Sequence, residues 1–448
     1  LFITSWGVIK KRSRIMKLRL LIVAGLVFST TIGPWAATAT TSRQDKPASH
    51  SPKQEEQGIL EPGQARPAEK ESPEATTQTA SVRAAQWTHP EVELRGIWLP
   101  GKELLGSTES IVSKLDKIAK ANFNAVMPDA YFRGYVIYPN SKHLPQLPEA
   151  KGTDPLAFFT EEAHKRGLQV HAWLEYGFYA YHTPDATKNP SMGPWLDAHP
   201  ELLSVSANGN KYIHNPAWGD FYSMCPANPR CHELIANIAA EILERYPVDG
   251  INLDRIRFAG ENYCYCDYCK EHFQKDTGME LVAFPKDSAG AKRFLEWKRQ
   301  QLVKAVETIR KKVKETRPNA ILSSYVVPPA EKDNKAQPWD LWAKHRLLDA
   351  IAVSMYGRNI VPDAEQAVRF FGNSKDLLVA AISCEVPSQI YLENIEKARR
   401  YAPLGQITWY SGQVDDDLEG LREGPYAKPA KIPFARDEGT STPSSDGK

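Results

Sequence analysis

From about residue 93 to residue 426 the chain alternates short apolar runs with amphipathic helical runs. That rhythm restricts the fold to parallel strands enclosed by helices. Strands are expected over residues 94–99, 124–129, 168–175, 250–254, 320–326, 350–356, 377–385 and 406–410. Helical patterns lie between them, as at 111–121, 155–166, 232–246, 293–316 and 390–401. Eight such units over roughly 330 residues predict one α/β domain, a (β/α)8 TIM barrel over 92–426. A doubly wound sheet is the rival, but no Gly-rich phosphate loop follows the first strand.

The segments outside the barrel read differently. Met16-Lys-Leu-Arg-Leu20 opens an apolar run to about Ile32, followed by small residues Ala36, Ala37 and Ala39. A basic region, an apolar region and an A-x-A site make residues 1–39 a secretory signal with its start at Met16, so export to the periplasm, envelope or medium is expected. The alternative is an uncleaved leader, the one membrane association expected here. No cysteine follows the apolar run, which argues against a lipid anchor. Residues 40–88 and 437–448 are rich in small and polar residues without apolar rhythm, and are expected to be a disordered linker and tail. Residues 1–39 hold six basic side chains and no acid, leaving 50 basic against 54 acidic groups in the remainder. That balance gives no reason to expect a nucleic-acid partner.

Candidate chemistry lies at the expected strand ends. In Asp249-Gly-Ile-Asn-Leu-Asp-Arg-Ile-Arg-Phe258, Ile251 and Leu253 point one way, and Asn252 and Asp254 the other. Asp254 then ends its strand on the carboxyl side, where barrel enzymes keep their reacting groups. Asp129, Glu175 and Glu385 end three other strands. Gln169, His171, Trp173 and Glu175 share one side, as do Ala381, Ser383 and Glu385; Tyr356 and Tyr410 fit the same side of theirs. Two carboxyl groups in one mouth suit glycosidic bond cleavage: one protonates the leaving oxygen, the other attacks the sugar or activates water. Single acids at strand ends also cap loops or pair with arginines, and Arg133, Arg255 and Arg257 are close in sequence. The 176–228 segment is long for a loop and carries Phe178, Tyr179, Tyr181, Trp195, Tyr212, Trp218, Phe221 and Tyr222. Those rings are expected either to stack on sugars or to form a small core of their own.

Leu94-Arg-Gly-Ile-Trp98, Phe123-Asn-Ala-Val126, Asp154-Pro-Leu-Ala157, Glu162-Ala-His-Lys-Arg-Gly167, His171-Ala-Trp173 and Asp249-Gly-Ile251 occur in that order. As a set they resemble the glycosyl-hydrolase-like 10 family of bacterial envelope barrels. The resemblance covers residues 93–426 and implies a (β/α)8 fold and action on glycans, in some members the denuded peptidoglycan strand. The chain departs from the family pattern in two places. Glu175 stands where many members have Asn after His-Ala-Trp-x, and Met127-Pro-Asp-Ala-Tyr131 lacks the usual Gln-x-Arg.

Of six cysteines, three form Cys264-Tyr-Cys266-Asp-Tyr-Cys269. Three neighbouring thiols cannot all pair with one another, whereas four thiolates close a tetrahedral zinc site. Cys225 is the candidate fourth ligand and His272 its rival. The alternative is a disulfide from Cys225 or Cys231 to one of the three. Cys384 faces the helix side by parity and is expected to be an inert core thiol. The spacing is similar to that in family-42 β-galactosidases, which implies a structural zinc pinning two loops beside the mouth. In that clan the acid/base ends strand four and the nucleophile strand seven, the places of Asp254 and Glu385 here.

The expected function is therefore an exported glycoside hydrolase acting on an envelope or extracellular polysaccharide, with no cofactor needed for catalysis. Asp254 is the first catalytic candidate, and Glu385 and Glu175 compete as its partner. Asp129, Arg257, Tyr356, Trp409 and Trp173 are expected to contact substrate. The alternatives are a non-catalytic glycan-binding barrel and an envelope scaffold.

Overall fold

The computed structural model describes residues 87–434. The expected signal, nearly all of the expected linker and the expected tail lie outside the described residues.

Eight strands close a barrel: β1 Leu94–Leu99, β2 Ala125–Pro128, β3 Gln169–Leu174, β4 Gly250–Leu253, β5 Ile321–Val326, β6 Ala350–Ser354, β7 Leu378–Ser383 and β8 Gly405–Trp409. Each pairs in parallel with its sequence neighbours, and β8 closes onto β1. The outer ring is α1 Thr108–Lys120, α2 Pro155–Lys165, α3 Pro229–Arg245, α4 Ala289–Thr316, α5 Trp339–Lys344, α6 Val361–Phe371, α7 Ser388–Ala398 and α8 Leu418–Glu423.

The helices begin where the sequence supplies caps. Ser107, Asp154, Asn228 and Ser288 each accept a first-turn amide, and Pro155 and Pro229 open their helices with the fixed φ that the first turn needs. On α1, Ile111, Leu115 and Ile118 recur at helical spacing and are buried toward the barrel.

The two-residue period of the strands sorts the core into two clusters. Ile97, Leu99, Val126, Ala172, Leu174, Ile251, Leu253, Val353 and Ile382 join the outer cluster under the helices. Trp98, Met127, Trp173, Tyr325, Ala352 and Ala381 fill the interior. Strand β8 runs in the opposite phase from its neighbours in polarity: Ile407 and Trp409 face inward, while Gln406 and Thr408 bond outward to Tyr426 and Tyr391. Gly96, the register partner of Ile407, makes room for that inward side chain, since a Cβ there would come 3.0 Å from Ile407 Cγ1. Tyr410 follows Trp409 and packs half-buried against the interior cluster.

Residues 176–228 build a small subdomain. Tyr179–Thr183, Gly219–Ser223 and Ile213–Asn215 form an antiparallel sheet with Gly219–Ser223 in the middle. Phe178, Tyr179, Phe221 and Tyr222 are buried in its core, Tyr181, Trp195 and Tyr212 are partly buried, and Trp218 is 54% exposed. No helix among the described residues is long and apolar enough to cross a membrane.

Candidate active site

Asp254 extends β4 by one residue, its amide donating to Leu174 O across 3.3 Å. Its side chain is 2% exposed, and its Oδ1 accepts the Arg255 amide. Burial pushes its carboxyl up to about 6, against the opposing pull of Arg255 and Arg257 and with a further push from the Glu175 charge. The turn after β3 lies directly over it: a Cβ on Gly177 would fall 2.0 Å from Asp254 O, so only glycine fits that crossing. Arg255 itself adopts φ of 48°, a left-handed conformation rare for a side-chain-bearing residue and common around functional sites.

Glu175 pairs with Arg255, Oε1 to Nη1, at 3.0 Å. The same guanidinium donates to Glu175 O and lies over the Tyr176 and Tyr179 rings. Asp129 stands on the adjacent strand end. It bridges Trp173 in parallel register, and both residues face inward. Asp129 is wholly buried, and its pKa is raised well above the usual carboxylate range, by burial first and then by the neighbouring Glu175 charge.

The floor beneath these acids is aromatic. Trp98, Trp173 and Trp409 pack ring to ring at 5.9–6.2 Å. Tyr356 stacks between Tyr325 and Trp409, at 6.1 and 6.4 Å. Trp98 is locked by its Nε1 donating to Asn252, which in turn donates to Ser323. Among the described residues the indole N–H groups of Trp173 and Trp409 and the Tyr356 hydroxyl have no hydrogen-bond partner, although all three are buried atoms.

The expected residues separate into two groups. Glu175 acts electrostatically on both Asp254 and Asp129, with Arg257 close to Asp254 and over the Tyr179 ring at 5.6 Å. Glu385 stands apart. It is exposed, its amide bonds only back to Ser383 Oγ, and it reaches the site through its charge on Tyr356. Trp173 and Tyr356 lie where parity puts them, but on β8 the phase is reversed: Trp409, not Tyr410, shares the inward side with Ile407, and Tyr410 packs against the interior cluster only past the strand's end. Trp98 and Tyr325 complete the ring cluster and were not among the expected contacts. The two-residue period held the signal for both, since Trp98 shares its side of β1 with Leu94 and Tyr325 its side of β5 with Ser323, but neither strand's inward side was assigned from the sequence.

The thiols of Cys225, Cys264, Cys266 and Cys269 lie within 4.8 Å of one another, all buried. Cys225 and Cys269 sulfurs are 3.5 Å apart, and all six cysteines are free. Four converging sulfurs at this spacing could hold a metal ion. His272 instead stacks on Tyr268 and bonds its carbonyl, and Cys231 and Cys384 are buried elsewhere in the outer core.

A family model described as Glycosyl hydrolase-like 10 matches residues 93–379. The glycosyl hydrolase DigH of Escherichia coli (strain K12) is 31% identical over 203 residues, 41% of this chain and 44% of DigH. The match thus spans less than half the length of that relative. Among solved structures, the PgaB (BpsB) glycoside hydrolase domain from Bordetella bronchiseptica has a TM-score of 0.57 at 14% identity, covering 74% of this chain and 98% of that one. Gan42B, a GH42 β-galactosidase from G. stearothermophilus, has a TM-score of 0.53 at 13% identity, covering 76% and 57%. At such identities the likeness to both solved structures is one of fold. The sequence match covers well over half of the chain, and the protein belongs to the glycosyl hydrolase-like 10 family.

Proposed function

We propose that the protein is an exported glycoside hydrolase that cleaves a cell-envelope or extracellular polysaccharide, with the peptidoglycan glycan strand as its first candidate substrate. One observation carries this reading: a protonatable acid, Asp254, shares a barrel mouth with an Arg-paired carboxylate, Glu175, above a floor of indole and phenol rings. Asp254 is the general acid that protonates the leaving glycosidic oxygen. Glu175, held by Arg255, is favoured over the exposed Glu385 as the group that attacks the anomeric carbon or activates water. Trp173, Trp409 and Tyr356 would pack against sugar faces, with Arg257 beside Asp254; Asp129, expected to contact substrate, is wholly buried and does not reach it. Export rests on the basic and apolar pattern of residues 16–39. Cys225, Cys264, Cys266 and Cys269 would hold a structural zinc that pins the 224–229 and 258–269 segments together and takes no part in the chemistry.

The test is mass-spectrometric product analysis with denuded peptidoglycan and with poly-N-acetylglucosamine. The wild-type chain is expected to release fragments, at a rate that falls as pH rises through about 6, where Asp254 loses its proton. Asp254→Asn is expected to lose roughly 10²–10⁴-fold of that rate, the usual contribution of a general acid. Full activity in the variant would remove Asp254 from the mechanism. Binding of glycan by both proteins without fragments from either would instead favour a non-catalytic glycan-binding barrel.

A further inference from the structure

Asp129 poses a problem that the proposed reaction leaves unanswered. It is wholly buried, and neither of its carboxyl oxygens meets a donor in good hydrogen-bond geometry among the described residues. The strand ladder fixes why its neighbour is another acid. Asp129 N donates to Leu99 O, Ala130 N to Trp173 O and Tyr176 N to Tyr131 O, so residues 129–131 run alongside 173–176. The inward side chains of Asp129 and Glu175 then meet on the diagonal of two parallel strand ends. Gly101 closes the third side, where a Cβ would come 3.2 Å from Asp129 Oδ2.

Ionised together, Asp129 and Glu175 would face each other as two acceptors, with Asp129 wholly buried and only Glu175, its side chain 13% exposed, paired with Arg255. One proton resolves the conflict. We infer that Asp129 is a positioning residue: it carries a proton shared with Glu175, donates that O–H to the Glu175 carboxylate, and with Arg255 holds Glu175 from two sides. Burial and the Glu175 charge both favour the protonated form of Asp129, consistent with this geometry. Arg255 supplies the charge-assisted contact to Glu175 Oε1 at 3.0 Å. A catalytic carboxylate held by two donors keeps one rotamer, and losing one hold lets it move beyond the roughly 0.5 Å that reactivity tolerates. The inference rests on the glycoside hydrolase reading for its catalytic meaning, but the proton itself can be seen without turnover.

The experiment is infrared difference spectroscopy on the full chain, wild type minus Asp129→Asn, at pH 7. The expected result is a carbonyl band of an un-ionised carboxylic acid in the wild type. Glu175→Gln should shift that band, because the buried Asp129 O–H then donates to a neutral amide oxygen instead of a carboxylate. Absence of the band in the wild type, or its persistence unchanged in Glu175→Gln, overturns the shared proton whatever the activity. On a hydrolysed glycan, Asp129→Asn, whose amide still donates, should keep its kcat within about threefold of wild type, whereas Asp129→Ala should lose about 10–100-fold. Equal and complete loss in both variants, with glycan binding retained, would overturn the positioning role and make Asp129 itself the group that cycles a proton. A band that behaves as expected in a chain that hydrolyses no glycan would sustain the shared proton and reject the hydrolase reading.

Discussion

At the scale of single residues, the acids that equip the mouth for chemistry weaken the fold. Asp254 ionises near the ordinary carboxylate value when unfolded and at about 6 when folded. Between those values the folded chain binds more protons than the unfolded one, so stability falls as pH rises through this window and stays lowered above it. Asp254→Asn, which cannot ionise, should therefore stabilise the protein at pH 8 by up to about 3 kcal/mol and leave it unchanged at pH 4. Urea unfolding of the pair at both values measures this. No difference at pH 8 would mean that the attraction of Arg255 and Arg257 cancels the cost of burial. The trade is the one expected of a reacting group kept for function rather than stability. Asp254 and Glu175 were legible in the sequence because strand parity alone aims them. The burial of Asp129 and the separation of Glu385 were not. They depend on how far each strand end projects past its neighbours and on which loop crosses above it, and neither is encoded in a two-residue period.

At the scale of elements, the two long connections after β3 and β4 meet at a cluster of thiols, and a buried cation ties the second of them to α4. Lys298 on α4 is 2% exposed and donates to the carbonyls of Glu261 and Tyr263, just before Cys264. The segment 258–269 is therefore held by a helix on one side and by Cys225 on the other. Removing a bound metal should release the sulfur side alone. With a strong chelator under reducing conditions, limited proteolysis is expected to cut within 258–269 while the barrel stays intact, and elemental analysis beforehand should find one zinc per chain. A cleavage pattern insensitive to chelation, with no metal found, would return the thiols to an ordinary packing role. The cysteine spacing announced this cluster, because Cys-x-Cys-x-x-Cys brings three thiols together by itself. The 176–228 segment was less legible. A three-stranded sheet must bury one face to be stable, so most rings of that segment became its core, and a list of aromatics cannot show which one, here Trp218, stays outside.

At the scale of the whole molecule, the barrel needs a floor as well as a mouth, and the chain supplies it beyond α8. Lys431 N donates to Glu91 O, and Glu93 N to Lys431 O. Arg95, wholly buried, bonds Lys428 O at 2.7 Å and Glu93 at 2.7 Å, and lies over the Tyr426 ring. Ile432 and Phe434 pack against the interior cluster, with Phe434 tilted on His171 at 5.9 Å. Burial beneath this cover pushes His171 down to about 4. A histidine buried neutral costs the fold stability as pH falls, because between the unfolded value of 6.5 and about 4 the unfolded chain takes up the proton first. Deleting residues 428–434 should then have two linked effects. Stability at pH 7 should fall by roughly 2–4 kcal/mol, from lost apolar cover and lost hydrogen bonds. The loss of stability between pH 6.5 and 4 should flatten, because water reaching His171 lets it protonate in the folded state as well. Thermal unfolding across that pH range tests the first effect, and the NMR titration of His171 the second. A truncated chain with His171 still titrating near 4 would show that strands β2 to β4 seal the floor without the segment that follows α8.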